Sequence, residues 1–441
     1  MLAAKREALK REVCAAIDSR ATEIVEIGDH ILRHPETGFR EVDTAAFVCK
    51  QFTRMGLPYR DMLALTGVKA RLPGRSERPT IAVMGELDSL IDSRHPFANP
   101  ETHAAHACCH YTQVATMLGA GMGLQTVIGS LDGSVVLFAV PAEECIEVDW
   151  RRSLRDRGKL EFIVGKAELI RLGEFDDIDV AIMTHTPVRS DGMLATVGDS
   201  HNGCVVKYIQ FIGRASHAAA YPNKGINAFK AATVALGAID AQRDTFRDED
   251  RVRIHYLVSK GGEAVSAVPA DVRIEMLVRG KTVEAMADAS AKVDRCLRAG
   301  AHALGAMVEI TTISGYMPYH SDPTLDALAR ENCEAVVGRE KVGRGSHITG
   351  STDNGDLSLI MPVVQPRSSG TVGSPHQSDY VVVDPKLAMI NPAKSMAMMV
   401  IDLLWNGARE ARAIMDGAQK LSKAEYLQMR RQFDSFERYG D

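Results

Sequence analysis

Apolar runs alternate with amphipathic segments along the first part of the chain. Amphipathic, helix-like segments extend to about Arg33 and then to about Met55. Three apolar runs of strand length follow, each ending in carboxylates or a histidine: RPTIAVMGELDSL (78–90), SVVLFAVPAEE (134–144) and DIDVAIMTHT (177–186). Alternating strands and helices predict an α/β domain whose mainly parallel sheet is flanked by helices.

The pattern changes near residue 198 and returns after about residue 315. Between these points, strand-like alternation is interrupted by two helix-like stretches, 225–242 and 282–304. The strand-like segments are CVVKYIQFIGRASH (204–217), RVRIHYLVSKGGEAVSAVPA (251–270) and DVRIEMLVRG (271–280). Two helices on an antiparallel sheet form a small α/β sandwich. The sequence therefore predicts an inserted domain at 199–314, with the larger domain, which the resemblance described below makes the catalytic domain, formed by 1–198 and 315–441.

Composition narrows the class of protein. The chain has 441 residues, 45% of them hydrophobic, and a net charge of −5. It lacks the basic runs of nucleic-acid-binding proteins, and no uninterrupted apolar stretch reaches the ~18 residues of a membrane span. The charged N-terminus, MLAAKREALKREVCAAIDSR, resembles an amphipathic helix more than a signal peptide, so we expect a cytoplasmic protein. In a reducing compartment, most of the eight cysteines are expected to be buried thiols.

Polar residues at the strand ends predict a metal centre, because the carboxyl ends of parallel strands meet at one edge of a sheet. Such residues are Asp88, Glu143, Glu144 and His185. The stretch HACCHYTQ adds Cys108 and His110, and a Gly/Ser-rich loop adds His376. Thiolate, imidazole and carboxylate ligands suit one or two divalent ions, with Mn²⁺ or Zn²⁺ favoured and Co²⁺ or Ni²⁺ possible. Each residue alone also fits a structural role, and adjacent glutamates also occur in solvated loops.

The order of several motifs resembles that of the aminoacylase/carboxypeptidase family of metallohydrolases, from about residue 25 to about residue 405. The motifs are HPETGFRE, GELDSL, HACCHYTQ, PAEE, MTHT, GRASHAAAYPNKGINA, GSTDNGDLS and SPHQSDY. The chain is most similar to the branch of amidohydrolases that includes p-aminobenzoyl-glutamate hydrolase, and the family also includes 5-nitroanthranilic acid aminohydrolase. The resemblance implies a catalytic domain interrupted by a smaller lid domain that forms a homodimer.

The resemblance also implies roles for individual residues. The implied metal ligands are Cys108, His110, Glu144, His185 and His376. Glu143 would be the general base and acid, and Asp88 would orient a ligand histidine. His217, on the lid, would stabilise developing negative charge, often in the partner subunit's active site. Arg279 would hold a substrate carboxylate, although a solvated strand charge is an equal alternative.

Four positions depart from the family's usual motifs. Cys109 replaces a glycine that provides room or a positive φ, and Tyr111 replaces a polar residue. Tyr111 would either contact an aromatic substrate or pack as a core ring. Ser266 stands where an asparagine often touches substrate, and Glu86 stands at the histidine of the related H-x-D motif. The replacement puts the ligand role of that motif in doubt for this chain.

Three functions are compatible with these residues. The first is metal-assisted hydrolysis of a C–N amide bond in a small, carboxylate-bearing and aromatic substrate. The second is hydrolytic deamination of an aromatic amine such as 5-nitroanthranilate, which releases ammonia. The third is an inactive relative with a binding or regulatory role, which the intact set of candidate ligands disfavours. No nucleic-acid or membrane partner is expected.

Overall fold

The computed structural model describes residues 2–187 and 191–440. Contacts divide the chain into two compact units, the second of which contains the predicted insertion. The first unit comprises Met1–Ser200, His320–Ser346 and Asp356–Lys423. The second unit comprises His201–Tyr319, His347–Gly355 and Ala424–Asp441. Short strands occur where the chain passes from one unit to the other, at Ser200–His201, Tyr319–His320 and His347–Ile348.

A six-stranded sheet, here called the main sheet, lies at the centre of the first unit. Its strand order is Tyr59–Leu63, Gly67–Pro73, Ser134–Val140, Thr80–Glu86, Val180–Ile182 and Val363–Val364. The last four strands are parallel, and the first two are antiparallel to their neighbours. The predicted α/β class is confirmed, and the sheet is mixed. The first strand escaped the sequence analysis because four of its five residues are exposed and it forms no apolar run.

Helices pack around this sheet and enclose one long buried helix, His110–Leu124. The other helices of the unit are Leu2–Ser19, Ala21–Arg33, Val42–Arg54, Val148–Asp156, Gly165–Leu172, Pro323–Val337, Asn391–Leu404 and Arg409–Gly417. Every residue of His110–Leu124 is buried. Its glycines permit close packing, since a Cβ atom at Gly119 would lie 2.8 Å from Ile24 Cδ1. The small residues in this helix therefore let its neighbours approach closely.

Short strands and one apolar segment complete the first unit. The strands are Leu90–Ile91, Ala104–Ala105, Ala195–Val197, Val342–Arg344, Arg367–Ser368, Thr371–Val372 and Val381–Val382. Lys386–Leu404 is long and apolar enough to cross a membrane, but 89% of it is buried inside the protein. Burial on this scale is typical of a core helix.

The second unit is an antiparallel sheet covered on one face by two helices. The strand order is Arg253–Lys260, Asp271–Gly280, Gly203–Ile212, Met307–Tyr316 and Ser435–Tyr439. The helices Ala228–Ala241 and Val283–Leu304 pack on each other and on the sheet. Alternate residues of Asp271–Gly280 are buried, as expected for a sheet with one covered face. The sandwich has the predicted strands and helices.

The fifth strand of this sheet differs from the sequence prediction, which assigned all of 315–441 to the catalytic domain. Ser435–Tyr439 pairs antiparallel with Met307–Tyr316 in the second unit. Two further helices, Asn354–Ile360 and Lys423–Arg431, contain points at which the chain passes between units. A strand of five residues with three exposed side chains carries little apolar pattern, so only the tertiary pairing reveals it.

Candidate metal centre

Three parallel strands of the main sheet end close together and present the polar residues noted in the sequence. The register places Glu86 opposite Val140, so Thr80–Glu86 and Ser134–Val140 end at the same level. Val180–Ile182 runs parallel beside Thr80–Glu86. The residues that follow the three strands are Asp88, Glu143, Glu144 and His185. The expectation that these ends share one edge of the sheet is met.

Cys108 and His110 reach the same edge from a tight turn at the start of the buried helix. Cys109, between them, has a φ of +60°, in the left-handed region. This conformation agrees with the inference that its position usually requires glycine. Cys108 Sγ lies 3.4 Å from His185 Nε2. The rings of His110 and His185 meet edge to face, with centroids 5.9 Å apart.

His376 joins the cluster through its own left-handed backbone, with a φ of +65°. Its backbone N–H donates to the Ala107 carbonyl at 2.9 Å, which anchors the late loop beside Cys108. The His376 Nε2 atom lies 3.4 Å from Glu144 Oε1. About half of the His376 side chain, 53%, is exposed, so the cluster opens to solvent on this side of the unit.

The five candidate ligands form two groups of three that share Cys108. One group contains Cys108, His110 and His185, and the other contains Cys108, Glu144 and His376. Within each group, the possible ligand atoms lie within 4.8 Å of one another. Among the described residues, the buried His110 Nε2 and Glu144 Oε1 atoms have no hydrogen-bond partner. Buried polar atoms without partners are costly, so this donor set fits divalent cations.

Asp88 links the two groups. Its Oδ1 atom accepts a hydrogen bond from His110 Nδ1 at 3.0 Å, and its Oδ2 atom accepts one from the Glu144 backbone N–H at 2.8 Å. Burial raises the pKa of Asp88, but the hydrogen bond and charge of His110 outweigh it, and the pKa is lowered. An ionised Asp88 keeps the His110 proton on Nδ1, which leaves Nε2 as the ligand atom. This is the geometry that Asp88 would need for its predicted role of orienting His110.

The protonation of Cys108 depends on what it binds. Burial is the main cause that raises the pKa of the Cys108 thiol well above its usual value. Nearby Glu144 acts in the same direction, whereas His110 lowers the pKa. A divalent cation reverses this balance, because a coordinating thiol is deprotonated. The buried thiol therefore suits a metal ligand better than a free nucleophile.

Glu143 lies beside the cluster together with a fourth carboxylate, Glu86. Possible ligand atoms of Glu86, His110 and Glu143 lie within 4.8 Å of one another, and all three side chains are buried. The sequence analysis assigned no role to Glu86. Its neighbours Gln113 and Lys166 were not recognised at all. Gln113 was recognisable because it lies one helical turn after His110, whereas no sequence pattern indicated Lys166.

Tyr111 and Cys109 face away from the cluster. Only 2% of Tyr111 is exposed, and its ring packs edge to face on His106 with centroids 5.5 Å apart. A residue adjacent to a ligand on a helix points about 100° away from it. The structure therefore gives no support to the predicted contact of Tyr111 with substrate. It matches the alternative, a packed core ring.

His217, Ser266 and Arg279 all lie in the second unit. His217 Nδ1 accepts backbone N–H groups of Ala219 and Ala220, at 3.3 and 3.1 Å. The neutral ring therefore carries its proton on Nε2, a donor suited to an oxyanion. Ser266 is exposed and its carbonyl accepts from the Ala218 N–H. Arg279 Nη1 donates to Ser351 Oγ at 2.8 Å.

Comparisons with known proteins match this architecture. Residues 200–304 match the model of the peptidase dimerisation domain of the M20 family. The Xaa-Arg dipeptidase of Mus musculus is 26% identical to this chain, over 96% of this chain and 94% of the relative. A dinuclear metal-binding M20 peptidase from Bacillus subtilis superimposes with a TM-score of 0.64 at 19% identity, covering 88% of this chain and 99% of its own.

The aminobenzoyl-glutamate utilization protein of Klebsiella pneumoniae has the same fold. It superimposes with a TM-score of 0.66 at 17% identity, covering 88% of this chain and 98% of its own. The chain is a metal-dependent hydrolase that is similar to M20 peptidases and amidohydrolases. The resemblance found in the sequence is confirmed, as is the class of hydrolase acting on carbon–nitrogen bonds. The candidate ligands also support a divalent metal.

Proposed function

We propose that this M20-type hydrolase is an amidohydrolase that cleaves the C–N amide bond of a small, carboxylate-bearing aromatic substrate. The observation that carries the proposal is the pair of ligand groups that share Cys108, with the Glu143 carboxylate beside them. Relatives named as a dipeptidase and as an aminobenzoyl-glutamate utilization protein support amide substrates. The proposed metal is Mn²⁺ or Zn²⁺, because imidazole, thiolate and carboxylate together suit borderline ions.

Each residue has a defined task in this proposal. One ion would be held by Cys108, His110 and His185. A second ion would be held by Glu144, His376 and the same Cys108. Bound metal supplies a Lewis acid and lowers the pKa of water. Glu143 takes the proton from the attacking water on its carboxylate and passes it to the leaving nitrogen. Asp88 holds His110 in the tautomer that presents Nε2.

The second unit would complete the site in a homodimer. Arg253–Lys260 lies at the edge of its sheet, where Leu257 is 60% exposed. The helix Ala228–Ala241 exposes Phe229 and Val234. An unpaired edge with exposed apolar side chains favours pairing with a second copy about a two-fold axis. We propose that His217 donates from Nε2 to the oxyanion in the partner's site.

Arg279 and Ser266 would contribute to substrate binding. A guanidinium binds a carboxylate in bidentate fashion, and Arg279 already donates to Ser351 in the segment GSTDN. Hydrolytic deamination was suggested by Cys109, Tyr111 and Ser266 together. Two of these three side chains are buried against the core, which removes most of that support. Amide hydrolysis is therefore the function proposed. A cytoplasmic location stays a prediction.

The test is an activity assay of Mn²⁺- or Zn²⁺-loaded protein with p-aminobenzoyl-glutamate and, separately, with 5-nitroanthranilate. Products and free ammonia are measured by chromatography. We expect p-aminobenzoate without ammonia from the first substrate and no reaction with the second. Ammonia and a hydroxylated ring from 5-nitroanthranilate would replace the proposal with deamination.

A matched variant separates chemistry from folding. Glu143→Gln keeps the size of the side chain and removes its basicity. We expect about 10²–10⁴-fold lower turnover with unchanged metal content, because general-base catalysis contributes that much. Full activity in this variant would exclude Glu143 as the base.

A further inference from the structure

The Glu86 carboxylate is held on both oxygens by side chains from other elements. Glu86 ends the strand Thr80–Glu86, and only 1% of its side chain is exposed. Its Oε1 atom accepts from Lys166 Nζ at 2.6 Å, and its Oε2 atom accepts from Gln113 Nε2 at 2.8 Å. Lys166 is itself fully buried. Burying this pair is costly unless its geometry is well determined, and these two hydrogen bonds fix the direction of the carboxylate.

The fixed carboxylate points at a ligand atom. Glu86 Oε2 lies 3.2 Å from His110 Nε2. Asp88 accepts the proton of His110 Nδ1, so the neutral ring presents a lone pair at Nε2. Two lone pairs at this distance in a buried site repel each other unless a cation lies beside both. Nε2 makes no hydrogen bond to any described residue, so a proton shared with Glu86 does not account for the contact.

The surrounding charges also demand a cation. The possible ligand atom of Cys108 lies within 4.8 Å of that of His110. One Glu143 ligand atom lies within 4.8 Å of those of Glu86 and His110. Several anionic groups therefore converge on His110 Nε2.

We propose that Glu86 is a further protein ligand, through Oε2 alone, of the ion held by Cys108, His110 and His185. The inference rests on the metal centre of the proposed function. Lys166 occupies Oε1 and Gln113 orients Oε2, so the carboxylate binds in monodentate fashion. Lys166 and Gln113 are positioning residues.

This assignment makes the two ions unequal. An ion beside His110 would have four protein ligands, the number that structural zinc sites provide. An ion beside His376 would have three protein ligands, the number that catalytic zinc sites provide. We therefore expect tighter binding of the His110 ion and readier loss of the His376 ion, whose histidine is half exposed.

The experiment compares Co²⁺ binding to the metal-free wild-type chain and to Glu86→Gln. Affinity is measured by competition with a chelator, and the visible absorption of Co²⁺ reports coordination. For the wild-type chain we expect two ions with separate affinities. Glu86→Gln should bind the tighter ion about 10–100-fold more weakly, with a changed visible spectrum. An unchanged affinity and spectrum would overturn the proposal.

Two further variants guard against misfolding. Glu86→Gln removes the negative charge that faces the buried Lys166, so the double variant Glu86→Gln with Lys166→Gln is measured as well. It should show the same loss of metal affinity with a native thermal unfolding transition. Native affinity in a folded double variant would contradict a ligand role for Glu86.

The matched control is Glu41→Gln. Glu41 is also fully buried, but it accepts from Thr66 Oγ1 and from the Ala142 backbone N–H rather than facing a ligand. We expect native Co²⁺ affinities in this variant. A wild-type chain that binds no Co²⁺ would refute the metal centre itself, whereas loss of the Glu86 effect alone would refute only this inference.

Discussion

Within the first unit, His110, Asp88 and Cys108 are buried and locked by hydrogen bonds and short contacts. Within the second unit, His217 and Ser266 are exposed, and their segments are joined by the hydrogen bond from the Ala218 N–H to the Ser266 carbonyl. A metal centre needs preorganised ligands, because a misplaced donor loses affinity. Substrate-contacting groups on a separate unit require a partner or a substrate to bury them. In the function proposed above, the first unit would therefore carry the metal chemistry and the second would supply substrate-contacting groups.

The largest loss of metal binding and activity is expected from replacing Cys108, the ligand that both groups share. Cys108→Ser removes the thiolate common to both groups of ligands. Both ions should bind more weakly, and turnover should fall by more than about 100-fold, which exceeds the usual effect of an outer-shell contact. Metal content after dialysis and turnover at saturating metal check this. Two tightly bound ions in Cys108→Ser would show that the two groups do not share this ligand.

The second prediction tests whether the two units cooperate across a dimer. Glu143→Gln and His217→Ala chains are co-expressed with different tags, and mixed dimers are purified by both tags. If His217 acts in the partner's site, one of the two sites is intact and about half of the wild-type activity returns. Homodimers of either variant serve as controls. Inactive mixed dimers would place His217 in its own chain's site.

A third prediction concerns the pH dependence of the buried first unit. Burial raises the pKa of Glu41 to about 8, with Asp88 adding to the effect and Thr66 opposing it. Between the usual carboxyl pKa and about 8, the unfolded chain loses a proton that the folded chain keeps, so rising pH destabilises the fold. Below this window, Glu41 is protonated in both the folded and the unfolded chain, so it adds no pH dependence to the free energy of unfolding.

Glu41→Gln removes this titration. Its free energy of unfolding relative to the wild-type chain should rise with pH in that window by at most about 1.4 kcal/mol per pH unit. Urea unfolding at several pH values measures the difference under equal metal loading. If the difference in the free energy of unfolding stays constant from about pH 5 to about pH 8, Glu41 is ionised in the folded protein.

The smallest effect is expected at the neighbour of the shared ligand. Cys109→Gly relieves a left-handed non-glycine residue but removes a buried thiol. These contributions oppose each other at about 1–2 kcal/mol each, so stability should stay within about 1 kcal/mol of the wild-type value. Metal affinity should not change. Thermal unfolding and chelator competition check this, and a loss of metal in Cys109→Gly would make the turn itself part of the site.

The sequence by itself determined the α/β class, the inserted sandwich and the candidate ligands. Buried parallel strands are continuous apolar runs, so Thr80–Glu86 and Ser134–Val140 are recognisable from composition alone. The polar residues that follow these strands and the parallel strand Val180–Ile182 must meet at one edge of the sheet. Glu144 and His185 could therefore be expected to be neighbours from the sequence. The order of motifs then named the family.

Only the tertiary structure decided how side chains outside these patterns are used. Tyr111 turned to the core because its helix rotates it away from His110. Lys166 reached Glu86 from a helix 80 positions later in the chain, a pairing that no local pattern encodes. Ser435–Tyr439 joined the second unit's sheet through backbone hydrogen bonds that are independent of side-chain identity. Such contacts join residues that are far apart in the sequence. They form only when whole helices and strands pack together, so no local sequence pattern predicts them.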